Sequence, residues 1–313
     1  MSNVEIKERI EKIKSDRNHG ASWLSRQALY TLKLVAERSN ATTCNDLIRH
    51  LMQVGKQLVE AHPSMAPLTN TISHAIYNIS ENSERDLDSL KRFIIYRVKE
   101  LIENSRKSML KAALNASKLI QEGTTIITHS YSSTIMEAIN QLRGKGVQVI
   151  ISESRPLYEG RKVAHELSLL EIPVTLIIDS ALGHFSSVAD VALVGADSVL
   201  ADGSIINKIG TYLLALAAKE SNIPFYVVCE TYKFNIKSYL GMKIELEQKE
   251  SSEITDDISG VNIRNLYFDI TPPKFVSQII TEGKEFKPNE VVSHMKKYKK
   301  YLEWLKEYSI KME

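Results

Sequence analysis

The alternation of short apolar runs with helical stretches from residue 124 onward constrains the fold of this chain most strongly. Each run is short, rich in β-branched residues and almost free of polar alternation, which is typical of strands buried on both faces of a parallel sheet. The runs lie within residues 124–129, 147–154, 173–179, 191–197 and 224–230. Strands that alternate with helices predict an open, doubly wound α/β sheet. A last strand is predicted within 265–273, and a short helix within 275–282.

The chain before residue 120 is predicted to be helical instead. Apolar residues recur there at steps of three and four, which places each set on one face of a helix. One such set is Leu24, Ala28, Leu32 and Val35. We therefore expect two domains, a helical N-terminal domain at 1–120 and an α/β domain at 121–313. The second domain is expected to end in a Lys-rich helix between residues 290 and 313.

Charge, hydropathy and cysteine content exclude several classes of protein. The chain has 40 Lys and Arg against 38 Asp and Glu, a balance that argues against direct nucleic-acid binding. No apolar run approaches the roughly 18 residues of a membrane span, and the N-terminus lacks the apolar region of a signal peptide. Cys44 and Cys229 stand alone, so neither a disulfide framework nor a metal site is expected. A cytoplasmic protein is expected.

Polar residues that follow the predicted strands are candidates for a ligand site, because ligands of open α/β sheets bind beyond the carboxyl ends of the strands. In chain order they are Ser130, Ser132, Arg155, Glu159, Arg161, Asp197, Asn207, Lys208 and Lys233. Hydroxyls at a helix N-terminus suit an anion, and two arginines that flank a turn suit a phosphate. The set predicts a small, hydroxylated ligand that carries phosphate.

Each of these residues also has a simpler structural explanation. A Ser-rich turn before a helix is usually an N-cap, and Asp197 after a Gly-Ala turn can cap the next segment. Arg155 and Arg161 taken alone are ordinary surface charges. No GxGxxG follows a strand and GxSxG is absent, so neither a dinucleotide cofactor nor a serine hydrolase is expected.

Five segments in chain order resemble the regulatory subunits of translation initiation factor 2B: ITHSYSS, SESRPLYEGRKVAHEL, GADSVLADGSIINKIGT, PFYVVCETYKF and FDITPPKFVSQIITEG. The chain is identified as a member of that family, which also holds isomerases of ribose 1,5-bisphosphate and of methylthioribose 1-phosphate. The resemblance implies a helical N-terminal domain and a Rossmann-like C-terminal domain. It also implies a homodimer built through the C-terminal domain, with assembly of dimers into hexamers as an option.

The chain departs from the isomerases of the family at three places. Those enzymes carry a Cys after the first strand that works with the Asp of the GAD motif. Asp197 matches that Asp, but Ser130 stands at the Cys position. A serine hydroxyl is far less acidic than a thiol. The Arg-Gly-Ala phosphate loop of those enzymes corresponds to residues 19–22, where His19 stands in place of the arginine. Their Arg-Pro pair corresponds to Ala66-Pro67, where Ala66 stands in place of the arginine.

These departures lead to the expectation of a regulatory or assembly subunit without isomerase turnover, similar to the alpha subunit of translation initiation factor 2B. Its expected partners are translation initiation factor 2 or sister regulatory subunits. The pocket is expected to hold a phosphorylated sugar or a nucleotide through Gly20, Ala21, Ser22, Ser130, Ser132, Arg155, Glu159, Arg161, Asn207, Lys208 and Lys233. The alternative is ribose 1,5-bisphosphate isomerase, an aldose–ketose isomerase. Asp197 would then be the general acid or base, with Ser130 or His129 in place of the thiol.

Overall fold

A computed structural model of the chain describes residues 2–82, 86–256 and 258–296. The predicted terminal helix therefore lies largely outside the described residues. Within these ranges, none of the helices combines the length and the apolar character that crossing a bilayer requires. The helices are α1 Ser2–Ser15, α2 Ala21–Arg38, α3 Cys44–Glu60, α4 Ala66–Ser80, α5 Leu87–Leu119, α6 Ser133–Asn140, α7 Glu159–Leu169, α8 Leu182–Ser186, α9 Thr211–Glu220, α10 Ile236–Tyr239 and α11 Val291–Met295.

Helices α1–α5 pack around one apolar core. The predicted faces are buried, and Leu24, Leu32 and Leu51 are fully enclosed. Two helix starts are fixed by side-chain caps: the Thr43 hydroxyl accepts the Asp46 N–H at α3, and the Asp86 carboxylate accepts the Ser89 N–H at α5. These caps begin the helices at defined residues, and burial of the apolar faces then sets how they pack.

The α/β part contains a seven-stranded sheet and a smaller sheet. The strands are β1 Thr125–Thr128, β2 Gln148–Ser152, β3 Val174–Ile177, β4 Val191–Val194, β5 Ser198–Val199, β6 Ile205–Lys208, β7 Phe225–Val228, β8 Phe268–Thr271, β9 Gln278–Ile280 and β10 Glu285–Phe286. The large sheet has the order β10-β9-β7-β4-β1-β2-β3 and is parallel except for the β9–β10 pair. Its order reverses between β1 and β4. The predicted α/β fold class, with a helical N-terminal part and a mostly parallel sheet, is confirmed.

Two local predictions need correction. The expected helix at 275–282 is wrong, because the chain forms a 3-10 turn at Pro273–Phe275 and then strand β9, which pairs with β7. Ile279 and Ile280 are both fully buried, which a β-branched run between two strands achieves and a surface helix does not. The predicted last strand exists as β8, but it pairs with β6 in the antiparallel sheet β5-β6-β8.

Gly160, in the first turn of α7, allows that helix to lie directly against the end of β2. A Cβ atom at residue 160 would overlap the carbonyl oxygen of Ser152. That oxygen belongs to the last residue of β2, a strand paired on both sides, so it has little freedom to move.

Gly160→Ala is therefore expected to destabilise the protein by about 1–3 kcal/mol, the usual cost of overpacking. The midpoint of thermal unfolding, followed by circular dichroism, measures the effect. Gly183→Ala is the matched control, because nothing lies within 4 Å of a Cβ at that helical position in α8. Equal midpoints for both variants would show that this close approach does not constrain the fold.

Candidate active site

A cavity of about 180 Å³ lies where the turn between α1 and α2 meets the α/β part. It stands beyond the carboxyl ends of β1 and β4, at the place where the strand order reverses. Ligands of doubly wound sheets bind at that place. Of the candidate residues, the structure brings to this cavity Gly20, Ala21, Ser22, Ser130, Ser132, Glu159, Asp197, Asn207, Lys208 and Lys233.

Asp197 follows β4 and is the titratable group best suited to proton transfer. Burial raises the pKa of its carboxyl, the charges of Lys233 and Lys208 and the N–H of Ala21 lower it, and the neighbouring Glu247 raises it. Burial dominates, and the resulting pKa is about 6. A carboxyl that titrates near pH 6 is available in both protonation states close to neutral pH, which general acid–base catalysis requires.

Two buried lysines surround Asp197, and each is held by a carboxylate. Lys208 Nζ lies 2.8 Å from Glu159 Oε1, and Lys233 Nζ lies 3.6 Å from Glu230 Oε2. Both lysine side chains are only 6% exposed. Because each ammonium group is paired, its charge stays in the cavity wall at a fixed position, ready to face an anionic ligand.

The end of β1 presents serine hydroxyls to the cavity. Ser130 has a left-handed backbone with φ 65°, and its N–H donates a 2.9 Å hydrogen bond to Ser154 Oγ. A non-glycine residue in this region is uncommon and is found often at functional sites. Ser132 caps α6 by accepting the N–H of Ile135 at 3.4 Å. The same turn therefore caps α6 through Ser132, as predicted, and lines the cavity.

His129 is a structural residue in this arrangement. Its Nε2 lies 2.7 Å from the Ile209 carbonyl oxygen and therefore carries the proton, and its Nδ1 lies 2.5 Å from Ser152 Oγ. Burial lowers the pKa of the imidazole. Both ring nitrogens are engaged inside the protein, so His129 fixes the end of β1 next to the start of α9.

Arg155 and Arg161 do not line the cavity. The Arg161 guanidinium lies 2.9 Å from Glu153 Oε2 and covers the ring of Tyr158. The Arg155 guanidinium donates to the Ile254 carbonyl oxygen at 2.8 Å and to the Tyr158 hydroxyl. In this structure Arg155 connects the turn after β2 to the segment 240–266, and Arg161 stabilises that same turn through Glu153 and Tyr158.

Other residues of the cavity were not among the candidates. Among the described residues they include Arg17, Trp23, Arg26, Lys162, Lys249 and Tyr267. Most stand on the helical part or on the segment 240–266, which the strand-end rule does not reach. Buried Glu230 stands behind the wall rather than in it, where it pairs with Lys233, and its position two residues after β7 is the signal that points to it. In the part of the chain that the structure describes, no three His, Cys, Asp or Glu side chains are grouped so as to hold a metal ion.

The chain belongs to the initiation factor 2 subunit family, whose model matches residues 17–288. A ribose 1,5-bisphosphate isomerase of Thermococcus kodakarensis is 36% identical over 288 residues, which are 89% of each chain. A putative translation initiation factor eIF-2B subunit 2-like protein of Pyrococcus abyssi is 38% identical over 88% of this chain and 94% of its own. The predicted family is thus confirmed.

Solved structures show the same fold. The translation initiation factor eIF-2B of Pyrococcus horikoshii OT3 superposes with a TM-score of 0.78 at 34% identity, over 92% of this chain and 98% of that one. The 5-methylthioribose 1-phosphate isomerase of the same organism superposes with a TM-score of 0.76 at 25% identity, over 93% and 87% of the two chains. A tetrameric eIF2B-beta2-delta2 complex from C. thermophilum, at 17% identity and TM-score 0.73, shares the fold.

The expectation of a regulatory subunit without turnover is wrong. Several relatives that are 34–36% identical over about nine-tenths of the chain are named ribose 1,5-bisphosphate isomerase, which favours the alternative. The expectation rested on the missing thiol at residue 130. Burial raises the pKa of the Asp197 carboxyl to about 6, and burial cannot be read from the sequence.

The raised pKa of Asp197 predicts a pH-dependent gain in stability for Asp197→Asn. The folded pKa of about 6 exceeds the ordinary value of 3.8, so the unfolded chain releases this proton first and the native state loses stability as pH rises from about 3.8 to about 6. The variant avoids that cost. We expect it to be more stable than the wild type by about 1–3 kcal/mol at pH 8 and equally stable near about pH 3, below both pKa values. Urea unfolding at both pH values measures the difference, and a difference independent of pH would contradict the assignment.

Proposed function

We propose that this protein is an aldose–ketose isomerase that converts ribose 1,5-bisphosphate to ribulose 1,5-bisphosphate. The observation that carries the proposal is the Asp197 carboxyl, whose pKa is raised to about 6 between two buried lysines at the reversal point of the sheet. The isomerase names of relatives that span nearly the whole chain support it. The names of those relatives support the choice of substrate, and the geometry supports Asp197 as the proton-transfer group.

The proposed reaction defines what the site must do. In the aldose the ring oxygen is bonded to C1, which also carries a phosphate. Isomerisation breaks the bond between C1 and the ring oxygen, which keeps the bonding electrons, moves the hydrogen of C2 with its electron pair to C1, and leaves a carbonyl at C2. The proton of the 2-hydroxyl is lost and the former ring oxygen gains one. The site therefore needs a group that gives a proton to one oxygen and takes a proton from another.

Asp197 is suited to that exchange and Ser130 is suited to a supporting role. A carboxyl with a pKa near 6 can protonate the ring oxygen and then, as carboxylate, accept the proton of the 2-hydroxyl. The Ser130 hydroxyl both donates and accepts hydrogen bonds, so it can orient a reacting oxygen without changing its own charge. In this scheme the replacement of a thiol by Ser130 removes one acidic group but leaves the carboxyl that moves the proton.

The charge of the cavity suits a ligand with two phosphates. Among the described residues, six Lys and Arg side chains line it against the three carboxyl groups of Asp16, Glu159 and Asp197. Such an excess of cations in a partly closed space favours a highly anionic ligand over a neutral sugar. Gly20, Ala21, Ser22, Ser132 and Asn207 add backbone and side-chain hydrogen-bonding groups to the wall.

We expect the proposed isomerase to work as an assembly of identical subunits in the cytoplasm. Apolar side chains stand exposed on the edge strand β3 and on α9, among them Leu176, Leu213 and Leu216, which are 40–47% exposed. Exposed apolar groups on an edge strand and a helix suit a subunit contact. A homodimer, its assembly into hexamers, and binding to translation initiation factor 2 or to sister subunits stay predictions.

Phosphorus NMR of the purified protein with ribose 1,5-bisphosphate tests the proposed activity. We expect the two phosphate signals of the aldose to be replaced by those of the ketose bisphosphate. Asp197→Asn should lower the rate at least 100-fold, the usual contribution of a general acid or base, while ligand binding persists. Ser130→Ala should lower the rate less, because that variant keeps the proton-transfer group.

Binding of the bisphosphate without conversion by the wild type would contradict the proposal. Ser130→Cys, measured in parallel, keeps the size of the side chain and restores an acidic group. A rate for this variant equal to or above the wild-type rate is expected, and activity that appears only in this variant would also overturn the proposed scheme.

A further inference from the structure

The carboxyl ends of the neighbouring strands β1 and β2 share an uncommon backbone feature. Ser130 is the second residue after β1, Ser154 is the second residue after β2, and both have a left-handed backbone, with φ 65° and 61°. Residues other than glycine adopt this conformation rarely, because the Cβ atom crowds the following carbonyl oxygen. Such a conformation persists only where the surrounding contacts hold it. The contacts of Ser130 therefore indicate which residues control its position.

One hydrogen bond joins these two residues. The N–H of Ser130 donates to Ser154 Oγ at 2.9 Å. The Ser154 hydroxyl donates its own proton to the Ser152 carbonyl oxygen at 3.1 Å, so its oxygen is left to accept from Ser130. Ser154 is fully buried and does not line the cavity, whereas Ser130 does. Ser154 thus holds the backbone of a cavity residue from behind the cavity wall.

The Asp179 carboxylate holds Ser154 in turn. Asp179 follows β3, and its two oxygens accept the N–H groups of Ser154 and Arg155, each at 2.8 Å. Hydrogen bonds to a carboxylate are stronger than those between neutral groups, so two of them fix the backbone of the turn after β2. Asp179 does not line the cavity either. The ends of three adjacent strands, β3, β2 and β1, are therefore connected through Asp179, Ser154 and Ser130.

We propose that Ser154 and Asp179 are positioning residues of the isomerase, which hold residue 130 in its left-handed conformation and so place the Ser130 hydroxyl next to a reacting oxygen of the sugar. The inference rests on the proposed function for the role of Ser130. Neither positioning residue touches the substrate. Ser154 acts through the N–H of Ser130, and Asp179 acts through the backbone of Ser154. A displacement of about 1 Å is enough to weaken the effect of an oriented group.

Steady-state kinetics of Ser154→Ala with ribose 1,5-bisphosphate test the first contact. We expect kcat to fall about 5–10-fold, because loss of the hydrogen bond releases residue 130, while KM stays within about 2-fold of the wild-type value. Ser186→Ala is the matched control, since Ser186 is equally buried and its hydroxyl donates to the Leu182 carbonyl oxygen within α8. An unchanged kcat for Ser154→Ala, or an equal fall for Ser186→Ala, overturns the inference.

A double-mutant cycle separates positioning from a general loss of structure. If Ser154 acts through Ser130, its removal has no further effect once the Ser130 hydroxyl is gone. We expect the Ser130→Ala, Ser154→Ala double variant to keep the kcat of Ser130→Ala within about 2-fold. Asp179→Asn replaces one accepting oxygen by an NH2 group, so it should lower kcat only where Ser130 is present. Losses that multiply in the double variants would contradict the inference.

Crystal structures of the wild type and of Ser154→Ala measure the positioning without turnover. In the variant we expect residue 130 to leave the left-handed conformation, or its side chain to move by about 1 Å or more relative to Asp197. An unmoved residue 130 overturns the inference even if the wild type converts substrate. A displaced residue 130 in a protein whose wild type shows no turnover by phosphorus NMR supports the hold of Ser154 on residue 130 and overturns the isomerase.

Discussion

The cavity depends on the ion pair and the hydrogen bonds that the buried Glu230 carboxylate makes. This carboxylate is fully enclosed, and it lies 3.6 Å from Lys233 Nζ, while accepting hydrogen bonds from Thr134 Oγ1 at 3.1 Å and Ser22 Oγ at 3.5 Å. These partners belong to the helical part, to α6 and to the turn after β7. A buried charge is costly unless it is paired and hydrogen-bonded, so the three elements must keep this arrangement. Glu230 thereby fixes the wall that carries Lys233 next to Asp197.

The cavity follows from how the two parts of the chain meet. The doubly wound sheet supplies strand ends at its reversal point, and these carry Ser130 and Asp197. The helical part closes the cavity with the turn before α2, and that closure leaves Asp197 only partly exposed to water. Burial then raises the pKa of its carboxyl to about 6, against the opposing effect of two lysines. A side chain that is an ordinary carboxylate in the sequence becomes a proton-transfer group only because both parts fold around it.

The sequence predicts the fold well and the site in part. Buried parallel strands have a distinctive composition, and the strand-end rule finds Ser130, Asp197 and Lys233 because topology alone brings them together. The prediction of a helix at 275–282 is wrong, because a short apolar run is compatible with a helix or a strand and only its pairing with β7 decides between them. Lys249 escapes sequence analysis because it stands in an irregular segment whose position is decided by tertiary contacts. The function prediction failed for a similar reason, since a pKa depends on burial.

A crystal structure of Asp197→Asn with bound ribose 1,5-bisphosphate tests most directly the claim that this cavity is an isomerase site for a bisphosphate. The variant is chosen so that the substrate survives. The account predicts C1 and C2 of the sugar against residue 197 and the Ser130 hydroxyl, with a phosphate beside Lys208 and Lys233. A ligand bound with C1 and C2 away from residue 197, or bound outside the cavity, would contradict it.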